Sequence, residues 1–88
     1  MRRRSYAIWW KQDDEPRHAG KLELGALHVL LSGNGNGKVA VPLGDIASVD
    51  YHRGEIILRL HHGPSIRVGS LDAPGALLEL ADALRRAA

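Results

Sequence analysis

The spacing of apolar residues is the feature that most constrains the fold of this chain. Seven short runs alternate between apolar and other side chains with a period of two residues, which is typical of β-strands. These runs cover residues 5–11, 21–24, 27–32, 38–43, 46–51, 55–61 and 65–69. Most of them are separated by glycine, proline, asparagine or aspartate, which favour turns. The pattern therefore predicts a mostly β protein built from short antiparallel strands.

The period changes once, near the C-terminus. From residue 73 onward the apolar positions recur at the spacing of a helix, at Leu77, Leu80, Ala81 and Leu84. Asp72 is placed to cap this helix, and Pro74 is tolerated in the first turn because an amide there has no helical partner. We therefore predict one helix over residues 73–86.

The 88 residues are expected to form a single domain. A chain this short buries only roughly 60% of the surface that it exposes when unfolded, so its core is small. Seven short antiparallel strands without crossover helices form a strongly bent sheet or a partly open barrel. The helix is the element left to cap the open end. Residues 1–4, which include three consecutive arginines, are expected to be disordered because chain ends commonly are.

The middle of the chain carries a resemblance to a known superfamily. Val41 to Val49 reads Val-Pro-Leu-Gly-Asp-Ile-Ala-Ser-Val and follows an apolar hairpin over residues 20–31. A glycine turn, two apolar strands separated by His62-Gly63 and the terminal helix come after it. This order resembles the pleckstrin-homology-like superfamily, in particular its small bacterial PH-like and GRAM-like domains. The resemblance implies a seven-stranded bent sheet capped by a helix and a non-catalytic binding module, since the superfamily includes lipid binders, peptide binders and oligomerisation modules.

Two features depart from better-known members of that superfamily. Many eukaryotic PH domains carry a tryptophan in the terminal helix, and this helix has none. Members that bind phosphoinositides place several basic residues around the first hairpin loop. Here Lys11, Arg17 and Lys21 flank that loop, but acidic residues fill positions 13–15. An inositol phosphate would meet those carboxylates, which argues against that ligand.

No motif in the chain predicts catalysis. Residues 33–38, Gly-Asn-Gly-Asn-Gly-Lys, are one residue shorter than a phosphate-binding loop, and a predicted strand follows them where such a loop opens a helix. Glycine and asparagine tolerate positive φ, so this segment predicts a hairpin turn. Ser48, Asp50 and His52 lie within one predicted stretch of strand without an oxyanion device, which argues against a hydrolytic triad.

The histidines do not predict a metal site. The chain has five of them, His18, His28, His52, His61 and His62. Zinc ligands usually come in close pairs on which further donors converge. His61 and His62 are adjacent, so on a strand their side chains point to opposite faces. We interpret the histidines as surface residues and expect no metal, no cofactor and no enzyme activity.

Three apolar residues fall on the outward side of the alternation, namely Trp9, Leu30 and Ile57. An antiparallel sheet with one solvated face should carry polar residues there. One interpretation is an interaction surface for a partner protein or for another copy of the chain. The other is that loops cover these residues, or that they are ordinary scattered apolar exposure. The leading hypothesis for function is protein–protein recognition or self-association.

The basic residues support an alternative function, the binding of an anionic lipid or nucleic acid. The candidate contacts are Arg2, Arg3, Arg4, Lys11, Arg17 and Lys21. Much of the basic charge lies at the chain ends, whereas a nucleic-acid module would usually carry a basic stripe across its body. A solvated N-terminus is the competing interpretation of the arginine run.

The sequence predicts a soluble cytoplasmic protein without a transmembrane segment. It has no cysteine, which fits a reducing compartment. No uninterrupted apolar run approaches the roughly 20 residues that a spanning helix needs. The apolar stretch at residues 5–10 is too short for the core of a signal peptide.

Overall fold

The computed structural model describes residues 4–33, 37–71 and 74–88 of the chain. Within these ranges the strands are β1 (Arg4–Gln12), β2 (His18–Leu24), β3 (His28–Gly33), β4 (Lys38–Pro42), β5 (Ile46–His52), β6 (Glu55–Leu60) and β7 (Ile66–Ser70). A short 3-10 turn, Leu43–Asp45, joins β4 to β5, and one α-helix, α1, spans Pro74–Ala87. The predicted cap Asp72, the predicted loop tip at residues 34–36, and Arg2 and Arg3 lie outside the described residues.

The strands form one curled antiparallel sheet in the order β4-β3-β2-β1-β7-β6-β5. The first strand is central because it pairs with β2 on one side and with β7 on the other. The edges of the sheet are β4 and β5, so Pro42, which lacks an amide donor, ends an edge strand. The predicted fold class, a seven-stranded bent sheet with one C-terminal helix, is confirmed.

The predicted elements differ from the structure by one residue at many of their ends, and three predictions differ in a way that changes the description. The second strand begins at His18 rather than Lys21, because the backbone of residues 18–20 pairs with β1 although their side chains do not alternate in polarity. Leu27 was expected to face inward, but it lies in the β2–β3 turn and is 73% exposed. Arg4 was expected to belong to a disordered terminus, but it begins β1, where it pairs with Leu24.

The core lies between the concave face of the sheet and one face of α1. Alternate strand residues enter it, as the period of two requires, and Ile8 and Trp10 are each 1% exposed. The helix contributes side chains at its predicted apolar positions, Leu77, Leu80, Ala81 and Leu84. Its outward residue Leu78 is 55% exposed. The helix is therefore amphipathic, and its buried face stabilises the sheet.

The backbones of β2 and β3 approach each other very closely at Gly20. A Cβ atom at this position would overlap the carbonyl oxygen of Ser32, and it would come within 2.7 Å of the Gly33 Cα. The same carbonyl accepts a hydrogen bond from the indole Nε1 of Trp10 at 3.0 Å. The absence of a side chain at Gly20 thus lets the end of β3 curl toward the core tryptophan.

A polar contact attaches the end of α1 to the edge of the sheet. The Nε of Arg85 donates a hydrogen bond to the carbonyl of Val49 in β5 at 3.0 Å. Arg86 instead pairs with Asp82 of the same helix at 2.7 Å.

Within the described residues, no helix is long and apolar enough to cross a membrane.

Candidate functional site

Trp9 lies on the outer face of the sheet, opposite the core. It pairs with Ala19 of β2 and with Gly69 of β7. A Cβ atom at Gly69 would overlap the indole ring, so the ring lies over this glycine. The guanidinium carbon of Arg17 lies 4.2 Å from the centroid of the same ring, which is cation–π geometry. Trp9 is half-buried because these neighbours cover it.

A row of basic side chains lies beside Trp9. Lys11 and Arg67 are directly opposite each other in the β1–β7 pairing. Arg17 immediately precedes His18, which pairs with Trp10, and its guanidinium lies over Trp9, the neighbour of Lys11 on the outer face of β1. Facing residues on neighbouring antiparallel strands are about 5 Å apart. We call Arg17, Lys11 and Arg67 the basic row.

The basic row is expected to lower the stability of the free protein. Like charges that face each other on a sheet are destabilising. Within the described part of the chain, the ion pairs with carboxylates are made by Lys21, Arg59 and Arg86. None of them includes a residue of the basic row. Its charge is therefore left available to an anion from outside the domain.

A mixed-charge hollow borders the basic row on the side away from Trp9. It measures about 390 Å³ and is lined by Asp13, Asp14, Ile57, Arg59, Ser65 and Arg67. The Asp13 carboxylate accepts a hydrogen bond from the Ser65 amide at 3.2 Å, and Arg59 pairs with Asp50 at 3.3 Å. These acidic groups limit the basic surface to the row itself and to the Trp9 side of it.

The three apolar residues singled out in the sequence share the outer face, but they do not form one patch. Leu30 lies two strands from β1, where it faces Glu23 and Ala40. Ile57 lies two strands away in the other direction, where it faces Asp50 and Arg67. Both side chains are half-buried, as Trp9 is. Polar and charged residues therefore separate the three.

The structure brings only some of the candidate anion contacts close together. Lys11 and Arg17 come together in the basic row, whereas Lys21 pairs with Glu23 at 3.2 Å. Arg4 lies at the opposite end of β1 from Lys11. Arg67 was not among the candidates, although its outward phase could be read from the alternation in the seventh run. The missing information was that β7 pairs with β1.

Four of the five histidines, His28, His52, His61 and His62, are exposed as predicted, but His18 is half-buried, so its interpretation as a surface residue is wrong. In the described ranges no group of three or more metal-ligating side chains converges. The ring of His18 packs on Trp10 with a centroid distance of 4.5 Å. The hydroxyl of Ser48 donates to Asp50 at 3.4 Å, and the same carboxylate oxygen accepts from Arg59.

Comparison with known proteins identifies the fold. No protein-family model matches the chain, and no curated protein matches it. Among solved structures, the chain is similar to the N-terminal PH domain of the human ARAP2 protein, with a TM-score of 0.74 and 12% identity over 97% of this chain and 77% of that one. The chain has a PH-like fold.

The PH-like fold does not by itself select a ligand. The finer resemblance to bacterial and GRAM-like domains stays a prediction, since the matching structure is a human PH domain. The ligand has to be inferred from the surface of this particular domain.

Proposed function

We propose that this PH-like domain is a non-catalytic recognition module that binds an acidic segment of a partner protein through the outer face of β1 and β7. The observation that carries the proposal is the basic row, Arg17, Lys11 and Arg67, beside the half-buried ring of Trp9. The proposed function is protein recognition, and Trp9 is one part of a mixed basic and aromatic surface.

Carboxylates of a partner would relieve the repulsion within the basic row. Charge-assisted hydrogen bonds are stronger than neutral ones, and the stacking of Arg17 on Trp9 restricts the guanidinium before binding. Exposed ion pairs contribute only about 0.2–1 kcal/mol each. The interaction is therefore expected to be of modest affinity, to depend on salt and to gain from apolar contact with Trp9.

The size of the basic row suits a short peptide. Three side chains across adjacent strands span about 10 Å. An extended peptide covers that distance with roughly three residues, since each residue rises about 3.3 Å.

The acidic residues beside the row favour such a peptide over a membrane surface or a nucleic acid. Asp13, Asp14 and Glu15 are exposed in the turn between β1 and β2. A flat anionic bilayer or a nucleic acid that approached the row would also meet these carboxylates. The tests below also distinguish two other functions, self-association and the binding of anionic lipid or nucleic acid. The cytoplasmic location stays a prediction.

The proposal is tested by removing charge from the basic row. We expect the double variant Lys11→Gln/Arg67→Gln to bind a fluorescently labelled oligoglutamate peptide roughly 2- to 30-fold more weakly than the unaltered protein, because two exposed ion pairs are lost. Fluorescence anisotropy at low salt measures the affinity. Addition of salt should weaken binding to the unaltered protein, since exposed charge pairs are screened.

A matched control removes the same charge elsewhere. Lys38→Gln/Arg86→Gln alters exposed residues of β4 and α1, and we expect it to leave peptide affinity nearly unchanged. Equal losses in both double variants would contradict the proposal, since net charge alone would then explain binding. Binding to phosphatidylserine vesicles or duplex DNA without binding to the peptide would establish the alternative. A dimer that the peptide does not disturb would point to self-association.

A further inference from the structure

The mixed-charge hollow continues the surface of the basic row. It lies at the end of the row that Arg67 forms, and Arg67 also belongs to its lining. Two exposed carboxylates of the turn between β1 and β2, Asp13 and Asp14, line it as well, and Ile57 of β6 contributes half-buried apolar surface. A segment of a partner protein that binds to Arg67 would therefore reach this hollow with its next residues.

Backbone contacts hold the acidic turn at the hollow. The Asp13 amide donates a hydrogen bond to the Ser65 carbonyl at 3.1 Å, and the Ser65 amide donates to the Asp13 carboxylate at 3.2 Å. Asp13 has a φ of 43°, a left-handed conformation that aspartate adopts more readily than most residues. These contacts attach the turn to the residue before β7, so Asp14 lines the hollow from an anchored segment.

The carboxylates of the hollow lack a cation of their own. Among the described residues, no Lys or Arg side chain forms an ion pair with Asp13 or Asp14. Arg59, the other basic residue of the lining, pairs with Asp50 at 3.3 Å. Once a carboxylate of a partner binds Arg67, the unpaired charge that remains in the hollow is negative.

This negative charge favours one basic residue in the partner segment. A purely acidic segment would be repelled by Asp13 and Asp14, whereas a cation next to the acidic residues would be attracted. The side chain of lysine also suits the lining, because its methylene groups pack on apolar surface such as that of Ile57 while its ammonium stays in water. Building on the proposed function, we infer that the partner segment combines acidic residues, bound to the basic row, with an adjacent basic residue whose cation pairs with Asp14 in the hollow.

Two pairs of end-blocked peptides test this inference. In each pair, three glutamates are separated by one glycine from either a lysine or a glutamine, and the pairs differ in which end carries that residue. Net charge alone predicts tighter binding of the glutamine peptides, because they are more negative and the protein has a net charge of +2. We expect the opposite order. At least one lysine peptide should bind about 1.5- to 5-fold more tightly than its glutamine counterpart, the range of one exposed ion pair, by fluorescence anisotropy at low salt.

A matched pair of variants locates the effect in the hollow. Asp14→Asn keeps the size of the side chain and removes its charge, and Glu15→Gln makes the same change at an exposed residue of the turn that is outside the lining. We expect Asp14→Asn to abolish the advantage of the lysine peptide and Glu15→Gln to retain it. Glutamine peptides that bind as tightly as both lysine peptides would overturn the inference. An advantage that persists in Asp14→Asn, or that both variants abolish equally, would also overturn it.

The same peptides separate this inference from the proposed function. If the glutamine peptides bind and lose affinity in Lys11→Gln/Arg67→Gln, but lysine gives no advantage, the basic row is the binding surface and only the role of the hollow is wrong. If none of the peptides binds, the proposed function is wrong, and this inference fails with it.

Discussion

Replacement of Trp10 by alanine is expected to lower the free energy of unfolding by about 3–5 kcal/mol, the usual cost of deleting a large buried aromatic side chain. The ring is 1% exposed, and its Nε1 donates a hydrogen bond to the Ser32 carbonyl in β3. The substitution would leave a cavity and would also remove the hydrogen bond to the Ser32 carbonyl. An 88-residue domain has about 4–13 kcal/mol of stability in total, so a large share would be lost.

Urea denaturation followed by far-ultraviolet circular dichroism measures this loss, and Trp9→Ala is the matched control. Trp9 is half-buried on the outer face under Arg17, so its removal should cost less, roughly 1–2 kcal/mol. If Trp10→Ala does not fold, Trp10→Phe keeps most of the apolar volume and tests the hydrogen bond. Equal losses for the two tryptophans would contradict the assignment of their faces.

Gly20→Ala is expected to be the second strongly destabilising change, by about 1–3 kcal/mol or more, because it overpacks a closed position. The added methyl would overlap the backbone of Ser32 and Gly33. Backbone atoms cannot turn away as a flexible side chain can, so β2 and β3 would have to move apart at this position.

Gly75→Ala provides the matched comparison for this prediction. Among the described residues, and apart from its chain neighbours and the backbone of its own helix, no atom lies within 4 Å of the position of its added methyl, and the residue belongs to α1. Alanine is favoured over glycine in a helix, so this change should stabilise the domain by up to about 1 kcal/mol. Thermal unfolding of both variants reports the two effects. A Gly20→Ala protein that melts as the unaltered protein does would contradict the close approach described for β2 and β3.

The fold could be predicted because one physical rule governs most of the chain. A period of two in hydrophobicity gives the strands and their inward faces, as it does for Ile8 and Trp10, and the change of period gives the helix. The predictions are wrong where backbone pairing, rather than the polarity of the side chains, determines where an element begins or ends. Residues 18–20 extend β2 although they do not alternate, and Leu27 is apolar although it lies in a turn.

Less of the candidate site could be predicted from the hydrophobic pattern. Lys11 and Arg17 were recognised because both flank the first loop. Arg67 was not, since only the closure of β1 against β7 brings these distant segments together. The covering of Trp9 by Arg17 and Gly69 likewise depends on a register that the hydrophobic pattern does not specify.

The measurement that tests the central claim most directly is an amide-resolved NMR titration of the unaltered protein with the oligoglutamate peptide. We expect the largest shifts at Trp9, Lys11, Arg17 and Arg67, including the indole signal of Trp9, with little change in α1. Shifts that cluster instead along the free edges of β4 or β5, with none in the basic row, would contradict the assignment of the binding surface.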